Sequence, residues 1–326
     1  MERSTEPAHS CARDSAEPSD VAADAPAAIK APPVELSEDE TLEEASVEMF
    51  SASLEHFLAN VPLLQTSSAP ESVHQMRVAL RRLRAAIGLL RPTLSGPALE
   101  TARERAKTLA SVLGGARDWD VFGAMLSGGP REAIGDDPSF HALIDTIETL
   151  REKAYSAAHD AVSSDETSQF IEDLRLAIER RDWQVEPQMR APCSACAFAE
   201  RALTRLRKRL LKKSRGLATL SAEERHKVRI ALKKARYGAE FFESLFQDRK
   251  GARAYLRALG DMQDQLGVFN DMEVANGLLD RVDAENEKVA RASGFVRGWV
   301  AHAARQGVAH AGKSEKRLKK LAPFWT

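Results

Sequence analysis

Several functional classes are excluded by what this chain lacks. Its 326 residues hold three cysteines, Cys11, Cys193 and Cys196, too few and too unevenly spaced for a disulfide framework. Cys193 and Cys196 form a lone C-x-x-C with no second Cys or His pair at metal spacing, so neither zinc nor redox chemistry is expected. They read instead as small residues near a helix start in a reducing cytoplasm. Aromatics make up only 6%, and none interleave the basic stretches as base-stacking surfaces require. No apolar run approaches the length of a membrane span, and the N-terminus has no apolar secretory core. Alternating strand patterns are absent. These absences leave an all-α, cytoplasmic protein with no expected metal, cofactor or membrane partner.

Charge is abundant and unevenly placed. The net charge of −1 averages two opposite regions. Residues 1–49 carry 13 acidic and 3 basic side chains, leaving 35 acidic and 44 basic for the remainder. Residues 1–36, rich in Ala, Pro, Ser and acids, have too few large apolar side chains to offset the entropy of ordering. They are expected to be a disordered acidic tail that competes for the basic body.

Helix signals then recur along the chain. Ser37 to Glu40 has capping-box spacing and predicts a first helix to about residue 64. Ser68 to Glu71 precedes a second, ending before Pro92. Pro97 opens a third, which Gly114-Gly115 is expected to stop at Leu113. Further helices are expected at 118–127, 138–162, 165–181, 194–214, after Ser221-Ala222-Glu223-Glu224, and at 250–266, 269–281, 285–306 and 308–321. Residues 183–192 read as a linker.

Two of these helices carry the same unusual stripe. At about 100° per residue, His74, Arg77, Arg81 and Arg84 share one line, beside an apolar line of Met76, Leu80, Leu83, Ile87 and Leu90. Starting 152 positions later, His226, Arg229, Lys233 and Arg236 repeat the pattern beside Val228, Leu232, Ala235, Ala239 and Phe242. A second pair of motifs follows at an offset of 153: Leu113-Gly114-Gly115-Ala116-Arg117-Asp118-Trp119-Asp120-Val121 and Leu266-Gly267-Val268-Phe269-Asn270-Asp271-Met272-Glu273-Val274. Each is expected to end one helix at Leu-Gly and cap the next at Asp118 or Asp271. The body thus reads as two copies of one helical unit, residues 41–183 and 193–326, packed pseudo-symmetrically with the stripes facing a shared cleft.

These paired motifs resemble the CHAD domain (conserved histidine α-helical domain), as does the terminal Ala322-Pro323-Phe324-Trp325. The resemblance covers about residues 41–326 of an expected domain at 37–326. It implies two pseudo-symmetric helical bundles around a basic central cavity, binding of inorganic polyphosphate, and association with polyphosphate granules. Carried over residue by residue, it implies a site of His74, Arg77, Arg81, Arg82 and Arg84 with His226, Arg229, Lys233, Lys234 and Arg236. Some CHAD domains are joined to a triphosphate-tunnel fold; no strand-borne E-x-E-x-K occurs here, so no built-in triphosphatase is expected.

The ordinary account of one basic stripe is a solvated face with carboxylates four residues away. No Glu or Asp lies between His74 and Arg91, so that face repels itself and calls for an external anion or acids from another helix, with Asp118 and Asp271 as candidates. Arginine suits a polyphosphate: it stays charged and offers a planar fork to phosphate oxygens. Arg205, Lys208 and Lys212, with Arg201, extend the basic surface on the 194–214 helix and predict a site richer in charge on its second half. The histidines either donate to phosphate or bridge helices. No carboxylate cluster attends them to support phosphotransfer, so no catalytic residue is assigned and a non-enzymatic binding protein is expected. Binding of nucleic acid or another polyanion by the same cations is the second reading, and a histidine phosphotransferase the third.

Overall fold

The computed structural model describes residues 27–185, 194–247, 249–282 and 286–326, without the side chains of 304–312. Ten α-helices occur among them: α1 (Leu42–Thr66), α2 (Pro70–Leu90), α3 (Pro97–Ser127), α4 (Gly129–Ile134), α5 (Pro138–Val162), α6 (Asp165–Arg180), α7 (Ala195–Lys213), α8 (Ala222–Phe242), α9 (Ala252–Leu279) and α10 (Glu287–Lys320). Among the described residues strand structure is confined to Leu94-Ser95 pairing antiparallel with Gln184-Val185, and one bridge between Thr41 and Ser194.

Local chemistry sets most helix starts. α8 begins at the expected capping box, Ser221 with Glu224. α1 begins at a different one, Thr41 with Glu44, whose carboxylate accepts from the Thr41 amide at 2.9 Å. The Ser37 signal is unused because the chain before it is held extended: Val34 and Leu36 are buried, and the Leu36 amide donates to Ser244 Oγ at 2.9 Å. α2 starts at Ala69 without a side-chain cap, and Pro70 presets the first turn.

Residues 27–36 are therefore part of the folded body, contrary to the expected boundary of the tail; 1–26 lie outside the described residues. The Ile29 amide donates to Asn60 Oδ1 at 3.0 Å, and the Ile29 carbonyl accepts from Asn60 Nδ2 and approaches His56 Nε2 at 3.1 Å. His56 is buried, also meets Gln75 Oε1 at 3.0 Å, and burial holds its pKa below the ordinary value. The strap thus ties to α1, and through His56 to α2.

The largest departure concerns the glycine motifs. α3 runs unbroken through Gly114-Gly115 and α9 through Gly267. Asp118 and Asp271 are mid-helix residues, not caps. A glycine costs a helix interior about 1 kcal/mol, which burial of the flanking residues outweighs: Leu113, Ala116 and Trp119 have no exposed surface.

Both long helices pass through two hydrophobic cores. The larger joins residues of α1, α2 and α3 (to Ala116) with residues of α7, α8 and α9 (to Leu266), and includes Phe324 and Trp325. The smaller joins Trp119, Phe122 and Leu126 of α3 with α5, the end of α9 (from Met272) and α10. Residues of both expected halves, 41–183 and 193–326, contribute to each core. Where the cores meet, α3 and α9 lie against each other, and α2 packs against both α3 and α8.

Candidate anion-binding site

The seam between the two cores is where the basic stripes converge. On α2, Arg77 and Arg81 stand one turn apart; on α8, Arg229 and Lys233 do the same. All four are half-buried, and Arg77, Arg81, Arg229 and Lys233 lie within electrostatic reach of one another across the helix pair. Arg117 of α3 joins from a third side, beside His74 and Arg77. Five fixed or potential cations therefore surround two carboxylates, Asp118 and Asp271, which also face each other.

The glycine motif has its explanation here. A methyl group at Gly114 would overlap the Arg77 guanidinium. Gly114 is the opening in the α3 surface through which Arg77 reaches Asp118, and its task is close approach, not helix termination. Asp118 lies 3.7 Å from Arg77 Nη1. Yet burial, the largest influence on each, pulls Arg77 below the ordinary arginine value and pushes Asp118 above the ordinary carboxylate value. Both shifts run against the pairing, so desolvation outweighs this loose contact. Among the described residues Arg81, Arg117, Arg229 and Lys233 have no hydrogen bond or ion pair, and Nε of Arg81 and of Arg229 is buried without a partner. The cluster holds donors in excess of acceptors, the condition under which an incoming oxyanion gains most.

Arginine cannot relieve this crowding by losing its proton; lysine can. Lys233 is driven down to about 7, first by burial and then by Arg229, Arg81 and Arg77, with Asp271 opposing. His74 is pushed below its ordinary value by burial first and then by Arg117, against Glu71, so near neutral pH it is an uncharged imidazole.

The remaining residues named from the sequence lie elsewhere. Arg82 is buried on another face of α2, over the Phe241 ring at 5.1 Å and 3.4 Å from the Pro32 carbonyl. The one-residue step from Arg81 rotates it about 100° away from the cleft. Arg84 sits beside Arg103 and Glu104 of α3, and Arg236 donates to Glu240 at 2.7 Å, an i,i+4 pair. His226 and Lys234 are exposed. On α7, Leu203, Leu206 and Leu210 face inward, with Leu203 and Leu206 meeting α8 at Gly238, while Arg205, Lys208 and Lys212 are exposed on the outer side. The cluster is richer on its first half, with His74, Arg77, Arg81 and Arg117 against Arg229 and Lys233, opposite to the expectation from the charge of α7. Arg117 belonged to a recognised motif and was missed because that motif read as a turn; its counterpart is the uncharged Asn270.

The cation cluster lies where α2 meets α3 and α8. The open pocket next to it, about 280 Å³ and bordered by Asp118 and Asp271, is otherwise apolar, walled by Phe122, Met125, Met272 and Trp299. Asp120, two residues from Asp118, is structural: its carboxylate accepts from Arg151 Nε at 2.9 Å and from the Tyr155 hydroxyl at 2.8 Å, joining α3 to α5. No group of three or more His, Cys, Asp or Glu suited to a metal ion occurs among the described residues. No described helix is long and apolar enough to cross a membrane. Cys196 is a half-buried free thiol, and Cys11 and Cys193 lie outside the described residues.

Comparison with known proteins agrees on the fold. No curated protein matches the chain. The crystal structure of the CHAD domain from the plant Ricinus communis is similar over 91% of this chain and 98% of its own, at 29% identity and a TM-score of 0.79. PptA from Streptomyces chartreusis is similar over 85% of this chain and 100% of its own, at 16% identity and a TM-score of 0.67, a likeness of fold. The family model described as the CHAD domain matches residues 48–280, a span that contains all ten residues of the two histidine motifs, and on that match the chain belongs to the CHAD family.

Proposed function

We propose that this chain is a non-enzymatic binding protein for inorganic polyphosphate, which it holds in the cleft between α2 and α8 and through which it associates with polyphosphate granules in the cytoplasm. The observation that carries the reading is the surplus of unpaired cations at the seam. Among the described residues Arg81, Arg117, Arg229 and Lys233 make no ion pair, although Asp118 and Asp271 act on some of them at longer range, and Asp118 pairs only loosely with Arg77. A repeating phosphate chain supplies anionic oxygens at close, regular intervals, and guanidinium forks donate to such oxygens two at a time. A single small anion would leave part of the cluster unsatisfied. Arg205, Lys208, Lys212 and Lys234 then serve as an exposed electrostatic approach, adding to encounter more than to the bound geometry.

The expected behaviour is salt-dependent binding of long-chain polyphosphate, since each phosphate neutralised releases counterions. The Arg77→Glu, Arg229→Glu double variant is expected to abolish a polyphosphate gel shift while keeping the wild-type far-UV circular dichroism. A wild-type protein that does not shift polyphosphate at low salt overturns the reading. Displacement of polyphosphate by RNA or DNA at equal charge would instead favour a general polyanion module.

A further inference from the structure

We propose that Lys233 is an acylation site for small acyl phosphates, whose phosphate group docks on Arg77, Arg81 and Arg229 and places the acyl carbon against the lysine amine. The inference rests on the oxyanion-binding character of the cluster and does not need polyphosphate to be its ligand.

The placement comes first. Lys233 is half-buried on α8, one turn beyond Arg229, with Arg77 and Arg81 of α2 opposite and Asp271 of α9 nearby. Arg117 and Asp118 of α3 complete the ring through their contacts with Arg77. Among the described residues none accepts a hydrogen bond from the Lys233 amine. Nε of Arg81 and of Arg229 is buried without a partner, whereas Lys233 keeps part of its surface exposed. A desolvated lysine among fixed cations is one of the standard ways a protein activates an amine as a nucleophile. The position of its titration supports this: at about 7, roughly half the amine is neutral at neutral pH, against roughly one part in 2,500 for an ordinary lysine.

The chemistry balances without a further reactant. The neutral amine attacks the carbonyl carbon of the acyl phosphate, a C–N bond forms and the C–O bond to phosphate breaks. Phosphate departs with the electron pair, and the proton shed by nitrogen passes to the departing phosphate or to water. Nothing is oxidised or reduced. The arginines that hold the phosphate also stabilise the charge that develops on it as it leaves. The product is an uncharged amide, so the cleft loses its one titratable ammonium and cannot regain it by acidification.

Lys234 provides an internal control, being the next residue and exposed. The full-length protein is incubated with acetyl phosphate at pH 7.0, and acetyl occupancy at both positions is followed by peptide mass spectrometry. We expect Lys233 to react at least tenfold faster than Lys234. At subsaturating acetyl phosphate, where the rate follows the titration of the free protein, it should level off above pH 8; pyrophosphate should suppress it, and Arg77→Gln should lower it without changing the Lys234 rate. A Lys233 rate no higher than that of Lys234 overturns the proposal. An uncharged N-hydroxysuccinimide ester tests the docking half: an equal preference for Lys233 with that reagent means the phosphate is not recognised, and the proposal fails. Polyphosphate gel shifts on the unmodified protein are scored separately, so loss of either result leaves the other standing.

Discussion

Gly114→Ala is expected to uncouple stability from binding. Alanine in place of a glycine inside a helix adds about 1 kcal/mol of stability. The new methyl overlaps the Arg77 guanidinium, and the clash is with the tip of a flexible side chain, so Arg77 moves and the α3 backbone does not. What the fold loses is the Arg77–Asp118 contact, a partly exposed pair at 3.7 Å of the kind that contributes about 0.5 kcal/mol. The net effect on stability is about +0.5 kcal/mol or near zero. Binding responds differently. A displaced Arg77 forfeits a charge-assisted hydrogen bond to the anion, about 1.5–3 kcal/mol, which corresponds to roughly a ten- to 150-fold weaker Kd. The control is the adjacent Gly115→Ala, where an added methyl meets nothing within 4 Å; it should raise stability by about 1 kcal/mol with Kd unchanged. Urea unfolding and fluorescence titration with labelled polyphosphate read the two quantities on the same samples. Equal affinities for the two variants would refute the assignment of Gly114 as the opening for Arg77.

Three further outcomes are expected. An anion in the cleft raises the Lys233 pKa from about 7, so the complex holds more protons than the free protein above that value. Affinity should therefore rise as pH falls from 9 towards 7, by up to about tenfold per pH unit for one proton, and Lys233→Arg should flatten the profile. The same linkage without ligand runs the other way, because the unfolded chain binds the Lys233 proton more tightly; that contribution to stability grows as pH rises from 7 towards the ordinary lysine value. His56 is buried with its pKa lowered, chiefly by burial, so it opposes folding as pH drops below the unfolded histidine value near 6.5; hydrogen exchange at residues 27–36 should accelerate between pH 6.5 and 5, and a profile unaffected by His56→Gln would count against the strap contact. Trp325→Ala removes a buried indole that packs on Tyr255 at 5.1 Å and donates to Thr204 Oγ1 at 3.0 Å; a loss of about 3–5 kcal/mol in urea unfolding is expected, and a loss under 1 kcal/mol would mean the C-terminal aromatics are not integral to the core.

The sequence by itself determined the helical class and the faces. Periodicity specified which side of α2 and α8 is apolar, because burying one stripe fixes the rotation of every other residue on the helix. The spacing of Ser221 and Glu224 was enough to start α8, since a capping box closes on itself within four residues. The motif repeat also identified Arg77, Arg81, Arg229 and Lys233 as the residues of interest. Tertiary packing decided the rest. Gly114 and Gly267 read as helix ends by propensity, a preference of about 1 kcal/mol that burial of residues such as Leu113, Ala116, Leu266 and Met272 overrides. Asp118 and Asp271 read as caps, and became mid-helix carboxylates within the cation cluster once α3 and α9 ran on. Arg82 shares the motif with Arg81 but not its face, and only the position of Phe241 and Pro32 shows where it is held. The charge of α7 misled because composition does not say which way a side chain points; its leucines face inward and its cations outward. Above all, the lowered affinity of Lys233 for its proton appears nowhere in the local sequence. It arises because Arg77 and Arg81, some 150 positions away, join Arg229 of the same helix around one half-buried amine, a sum of desolvation and charge that exists only after α2 has packed against α8.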